Sequence, residues 1–210
     1  MGTGLDRRIM HFTHVKNLRG VVEFGLQADN QVIADGRAVV QCADQGIKAS
    51  RRDIPITVTP GGVVADYVPF YFAQRSPMMY VISRGSVAGY TEGLDPLIYL
   101  VTTIRAVEEA GLQWVGSDGN CAASLTSHFN NIDELEAAVD WPLMKTRIWK
   151  NVQDDGDRMR RRAAELLVHG TVPFSCIQGI VTRNENLANQ IRTFLGSSTP
   201  IVKAIPDWYY

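Results

Sequence analysis

Tyr67-Val68-Pro69-Phe70-Tyr71-Phe72-Ala73-Gln74-Arg75-Ser76-Pro77-Met78 places three consecutive aromatic rings and a cation between two prolines. Pro69 fixes its own φ and pushes Val68 toward extended backbone, and Pro77 does the same to Ser76. The run is too rigid for an ordinary loop and too aromatic for an ordinary surface. It reads as a strand or strand edge, with residues 78–81 continuing toward a helix or a second strand. Rings beside an arginine suit a flat, charged ligand such as a nucleotide or an unstacked base. A core strand followed by a polar turn is the plainer alternative.

Upstream, residues 9–13 read as a short strand. Residues 15–24 read as an amphipathic helix with Val15, Leu18, Val21 and Val22 on one face, ended by Gly25. Residues 29–62 show little periodicity and contain Gly36, Gly46, Pro55, Pro60, Gly61 and Gly62. They are expected to be a long irregular segment, and long ordered loops are often functional. Downstream, the expected elements are strands at 97–101 and 113–115, helices at 103–110 and 132–139, and a turn at Ser117-Asp118-Gly119-Asn120. A helix at 144–151 carrying Trp149 and a short basic helix at 158–163 follow. Glu165 then opens the apolar run Leu166-Leu167-Val168, which ends in the turn His169-Gly170. Residues 177–182, 188–195 and 201–204 read as strand, helix and strand. Helices and strands mix without a regular βαβ beat, which predicts an α+β fold with a mixed or mostly antiparallel sheet. At 210 residues and 45% hydrophobic content, a single domain over 1–210 is the expectation.

No apolar run approaches the roughly 20 residues of a membrane helix, and residues 1–8 lack the apolar segment of a signal peptide. Cys42, Cys121 and Cys176 match neither a disulfide framework nor a zinc spacing, so a reducing cytoplasm is expected. The net charge of −1 argues against a protein that coats long nucleic acid by charge alone. The charge is nonetheless patterned. Lys48, Arg51 and Arg52 cluster ahead of the aromatic run, and Arg158, Arg160, Arg161 and Arg162 follow Asp154, Asp155 and Asp157. Such patches suit a small anionic ligand or a short stretch of nucleic acid; a solvated helix face of alternating charge is the alternative.

The histidines, His11, His14, His128 and His169, form no helical zinc-protease motif. His11 and Thr13 lie two apart, so on a strand both project from one face, well placed to bond a ribose hydroxyl and a carboxamide; a structural hydrogen bond is the more common role of a strand histidine. There is no glycine-rich phosphate loop, nucleophile elbow or carboxylate pair. Glu165 stands at the head of an apolar strand behind an arginine cluster, where its side chain either solvates the strand end or points into a pocket.

Three blocks in order, His11-Phe12-Thr13-His14-Val15-Lys16-Asn17-Leu18, Asp66 to Phe72 with Arg75-Ser76-Pro77-Met78, and Arg162-Ala163-Ala164-Glu165-Leu166-Leu167-Val168, resemble the signature blocks of the DarT family. The similarity spans about residues 9–182. Leu166 departs from the aromatic residue expected in many members, but the glutamate stays in register. The resemblance implies an ADP-ribosyltransferase-like fold, a split mixed β-sheet core with surrounding helices, and NAD consumed as a substrate with no metal. The implied reaction joins ADP-ribose to a base of single-stranded DNA, thymidine ahead of guanine, with RNA or protein as further alternatives and a catalytically silent binding module as the contrasting reading. It also implies a macrodomain antitoxin, DarG-like, as partner. By resemblance Glu165 is the catalytic glutamate and Arg51 the catalytic arginine, with Arg52 as its alternative. His11, Phe12, Thr13, Asn17, Leu18, Arg51, Tyr71 and Phe72 are expected at NAD. Arg52, Arg75, Ser76, Met78, Asn120, Arg158 and Arg161 are expected at DNA, the last two with charge balance as an alternative role. The segment 120–149 is a candidate for the loop that recognises the acceptor.

Overall fold

A computed structural model describes residues 4–42, 45–196 and 199–210. In chain order its elements are β1 (Arg8–His14), α1 (Leu18–Phe24), β2 (Leu26–Gln27), α2 (Asp29–Ala34), α3 (Gln45–Arg52), β3 (Tyr67–Tyr71), α4 (Pro77–Ser83), β4 (Leu97–Thr103), α5 (Ile104–Glu109), β5 (Trp114–Ser117), β6 (His128–Phe129), α6 (Ile132–Ala138), α7 (Trp141–Met144), α8 (Arg158–Arg162), β7 (Glu165–His169), β8 (Thr171–Val172), β9 (Gly179–Thr182), α9 (Glu185–Leu195) and β10 (Ile201–Ala204). An eight-stranded sheet runs β10-β9-β4-β1-β3-β7-β5-β6, and β2 pairs with β8 separately. Within the large sheet β10 and β9 are parallel and the other pairs antiparallel, the mixed sheet of the expected α+β class. No helix among the described residues is long and apolar enough to cross a membrane.

Side-chain alternation along the strands builds a core on each face of the sheet. Ile9, Ile98, Leu100, Leu166, Val168 and Ile180 pack with α1, α5 and α9. Met10, Phe12, Tyr99, Val101 and Val181 pack with α4 and Tyr209. Gly25 ends α1 at φ 82°, and a Cβ there would lie 2.8 Å from the Val172 carbonyl oxygen, so glycine is required by both backbone and space.

The sheet is pinched at its centre. β1 pairs with β4 along seven residues but with β3 only through Met10 and Tyr71. Beyond that point β1 and β3 diverge. Pro69 contributes to this, because its carbonyl points to the β1 side and the N–H a ladder would need on that same edge is missing.

Two expected elements are corrected. Residues 144–151 are not a helix. Asp140 caps Leu143 and Pro142 occupies the first turn, so the helix starts at Trp141 and ends at Met144. Trp149 instead donates its indole N–H to the Tyr210 hydroxyl at 2.7 Å. The stretch 29–62 is not irregular throughout, since it contains α2 and α3. These helices, of six and eight residues, are too short for periodicity to announce them. The remaining expected strands and helices lie within a few residues of their predicted positions.

Candidate active site

The divergence of β1 from β3 opens a cavity of about 450 Å³, within the size range of small-molecule sites. Its walls include His11, Thr13, Tyr71 and Met78 from the sheet side, and Lys48 and Arg51 from α3. Lys48, Arg51 and Arg52 reach it together because positions three and four apart share a helix face.

His11 bridges the split by donating Nδ1–H to the Pro69 carbonyl at 2.8 Å; that oxygen can only accept, which fixes the tautomer. Burial lowers the His11 pKa, and the Pro69 bond offsets this only in part. The ring is therefore neutral near pH 7, with Nε2 left as an acceptor. A histidine held neutral by folding contributes stability in full above its ordinary pKa of 6.5, and that contribution declines as pH falls from there toward the lower folded value. His11→Gln should thus lose less stability than the wild type between pH 8 and pH 5.5, as read by denaturant midpoints at the two pH values. An equal loss would remove His11 from the acid response.

Thr13 Oγ1 accepts from Asn17 Nδ2 at 2.9 Å, which leaves the threonine hydroxyl hydrogen for a ligand. Asn17 also donates to the Val40 carbonyl at 3.0 Å and accepts from Val40 N–H at 2.8 Å. Its amide thereby clasps the chain around Val39 and Val40, which forms part of the cavity wall. Asn17 has spent its donors on this clasp, so its contribution to a ligand is positional. Asn17→Ala should weaken binding of a ligand in this cavity about tenfold, the worth of roughly one lost net hydrogen bond, as read by calorimetric titration. Unchanged affinity would contradict the clasp.

Glu165 begins β7 directly opposite Tyr71, so Met10, Tyr71 and Glu165 lie in register across the pinch. Its side chain is 1% exposed, and Arg51 Nη2 donates to its Oε2 at 2.6 Å. Oε1 is buried and has no hydrogen-bond partner among the described residues. Ser117 Oγ accepts the Glu165 N–H at 3.1 Å and donates to the Gly119 carbonyl at 2.8 Å, tying the strand end to the turn after β5. Burial opposes the charge on Arg51, but the Glu165 carboxylate outweighs it and holds the guanidinium above its ordinary value. Burial, reinforced by Glu165, pushes the Tyr71 phenol up to about 12 and the Cys121 thiol up to about 12. Both neighbours are neutral at pH 7, so neither adds a negative charge beside the carboxylate.

The other expected residues divide. Arg52 turns away from Glu165 and donates to Asn30, which itself donates to Asp66. Phe12 stacks near-parallel to Tyr71 with centroids 6.1 Å apart, and both line the cavity. Leu18 and Phe72 are core residues away from the cavity; Phe72 packs edge-on against Trp141, because alternation puts it on the face opposite Tyr71. Arg75 sits at φ 54°, the one non-glycine residue with positive φ among those described. This bend is held from three sides. Tyr210 OH donates to the Arg75 carbonyl at 2.7 Å, Arg162 Nη2 to the Gln74 carbonyl at 2.7 Å, and Arg75 N–H reaches Tyr99 OH at 3.3 Å. Strained backbone that is over-determined in this way is typical of functional surfaces. Ser76 is 2% exposed and caps α4 through Met79 N–H. Asn120 Oδ1 accepts from Ala122 N–H. Arg158 and Arg161 face Asp155, and Arg161 also meets Asp140, so contact with phosphate would have to displace these carboxylates.

Sequence patterns did not single out Asn30 or Tyr210, and they placed Ser117 only in a turn and Arg160 only in a basic cluster. The contacts that matter here, Asn30 to Asp66, Tyr210 to Arg75, Ser117 to Glu165 and Arg160 to Asp118, all join residues far apart in sequence.

The split mixed sheet, the cavity at its divide and the buried glutamate held by arginine are the features that the resemblance to ADP-ribosyltransferases implies. The family model for ssDNA thymidine ADP-ribosyltransferase, DarT, matches residues 10–210, and the chain belongs to that family. A DNA ADP-ribosyl transferase of Mycobacterium tuberculosis (strain ATCC 25618 / H37Rv) is 38% identical, covering 98% of this chain and 90% of that protein. The structure of Thermus sp. 2.9 DarT in complex with ADP-ribosylated ssDNA superposes with a TM-score of 0.88 at 31% identity, covering 98% of this chain and 97% of that one. The same Thermus protein in complex with NAD+ gives a TM-score of 0.84 at 29% identity, with both chains covered completely.

Proposed function

We propose that this protein transfers ADP-ribose from NAD to a thymidine base of single-stranded DNA and releases nicotinamide, with Glu165 and Arg51 at the reaction centre. The observation that carries the residue assignment is the buried Glu165 carboxylate, paired with Arg51 through one oxygen and without a partner at the other among the described residues. An orphaned buried carboxylate oxygen is costly unless a ligand completes it, and a ribose hydroxyl supplies the missing donor.

Cleavage of the bond between nicotinamide and ribose sends its electron pair to the pyridine nitrogen and leaves oxocarbenium-like charge on the sugar. Glu165 stabilises that charge from a water-poor position, where a fixed carboxylate is worth far more than in water. His11 and Thr13 hold the nicotinamide riboside end through Nε2 and the free hydroxyl hydrogen, while Phe12 and Tyr71 wall the cavity beside them. Arg51 holds the Glu165 carboxylate in orientation until the dinucleotide arrives, and then bonds the pyrophosphate or polarises the base. The acceptor nitrogen of thymine carries a proton that must leave as the new bond forms, and Glu165 is the base within reach. Holding both substrates together supplies much of the rate. A single strand presents its bases without the cost of extruding one from a duplex. Arg75 and Met78 are the residues we place toward the strand.

The extent of the family match supports one domain over 1–210. We also propose a cytoplasmic location and a macrodomain antitoxin, DarG-like, that reverses the modification or blocks the site. Expression without such a partner is expected to be toxic.

The test is incubation with NAD and single-stranded oligonucleotides that differ in one base. A mass gain of one ADP-ribose that requires thymidine supports the proposal. Gain at guanine alone would overturn the acceptor, and binding without modification would overturn the enzymatic reading.

A further inference from the structure

The residues that line the dinucleotide cavity lie between positions 11 and 78. On its other flank Glu165 meets a different part of the chain. Ser117 holds its backbone N–H, and Cys121 lies close enough to feel its charge. An acceptor attacks the sugar from the side that the departing nicotinamide does not occupy. The loop 118–127, which joins β5 to β6, begins beside Glu165 on the flank away from the cavity-lining residues, a place suited to presenting an acceptor base.

One residue fastens that loop. Arg160, five positions before Glu165, lies on α8 with its side chain 15% exposed. Its Nη1 meets Asp118 Oδ2 at 3.1 Å and Thr126 Oγ1 at 3.3 Å, the two ends of the loop. Its carbonyl accepts Asn120 N–H at 3.0 Å. Nε and Nη2 bond Asp157 at 2.9 and 2.8 Å, which holds the guanidinium in place from behind. Between these contacts Gly119 runs so close that a Cβ would lie 2.5 Å from Arg160 Nη1 and 3.0 Å from its carbonyl oxygen. The Ser117 hydroxyl links the Gly119 carbonyl to the Glu165 N–H. Loop, α8 and catalytic strand thus share one hydrogen-bonded node. With its fork of donors committed to two carboxylates and a hydroxyl, Arg160 has little left for a phosphate.

We infer that Arg160 is a positioning residue for the acceptor strand, anchoring the loop 118–127 to α8 so that the target base meets Glu165 in reactive geometry. This inference rests on the reading of single-stranded DNA as the acceptor.

The test compares the wild type with Arg160→Ala, Arg160→Lys and Gly119→Ala, measuring kcat and KM for NAD and for a single-stranded oligonucleotide at several salt concentrations. Arg160→Ala should lower kcat/KM for the oligonucleotide by about 10–100-fold, the scale of misplacing a reacting group by an ångström, with the KM for NAD within about twofold. Gly119→Ala, which alters no charge, should reproduce that split. Arg160→Lys should recover little, because a point charge does not replace the fork. The salt dependence of oligonucleotide binding should match the wild type in all three. If Arg160 instead grips a phosphate, Arg160→Ala lowers the salt slope by about 0.7 and Gly119→Ala behaves as wild type, which overturns the inference. A parallel rise in the KM for NAD also overturns it. A wild type that transfers to no oligonucleotide overturns the functional reading and this inference with it, whereas an active wild type with unaffected variants overturns this inference alone.

Discussion

Glu165→Gln should reduce transfer to a single-stranded oligonucleotide by about 10³-fold, the upper range for removing one fixed group opposite developing charge. Glutamine keeps the shape of the side chain and an oxygen for Arg51, so NAD binding should change only a few-fold. What disappears is the negative charge facing the sugar as nicotinamide leaves, together with the base for the acceptor proton. The fold should persist. Leaving Arg51, 15% exposed, without its counter-charge costs about 2 kcal/mol, below the full cost of breaking a buried pair. In a domain of this size that lowers Tm by roughly 4–8 °C. Single-turnover rates with labelled NAD, alongside melting curves, separate the two effects. Transfer at the wild-type rate would remove Glu165 from the chemistry.

Arg51→Ala and Arg52→Ala should differ sharply. The first removes the partner of a carboxylate that is 1% exposed and whose other oxygen has none among the described residues. An uncompensated buried charge costs about 3–5 kcal/mol, and transfer should fall by about 10²-fold or more because the carboxylate loses both its orientation and its neighbouring cation. Arg52→Ala forfeits a bond to Asn30 outside the Arg51–Glu165 pair, worth about 1 kcal/mol, and transfer should stay within about threefold of the wild type. Arg51→Lys should fall between them, since lysine restores charge without the planar fork. Oligonucleotide labelling and chemical denaturation on the same preparations check both parts. Equal, small losses in the two alanine variants would dissociate the ion pair from the reaction.

Parts of this arrangement were legible in the chain before any coordinates. The two-residue spacing of His11 and Thr13 predicts that they share a strand face, and both line the cavity from β1. The apolar run after Glu165 predicts a buried strand with the carboxylate at its head, as β7 is. The aromatic run was readable as a strand, but its rings were not readable as wall or core. Tyr71 faces the cavity and Phe72 meets Trp141, and only the register of β3 against its neighbours decides which ring goes where. The arginine run at 158–162 resembled a phosphate grip, yet Arg160 and Arg161 are held by Asp118, Asp140, Asp155 and Asp157. Asn17 reads as a ligand contact in a motif and folds as a clasp on Val40.

By itself the sequence determined the α+β class and most of the longer strands and helices, because these rest on local spacing that a short window contains, and it determined the family through three motif blocks in order. Only the tertiary structure decided that Arg51 rather than Arg52 meets Glu165 across 114 positions, that the sheet parts beyond Met10 and Tyr71, and that the loop 118–127 is anchored on α8. Those outcomes depend on which strands become neighbours and on which edge a proline carbonyl faces, and chain connectivity does not encode them in any local pattern.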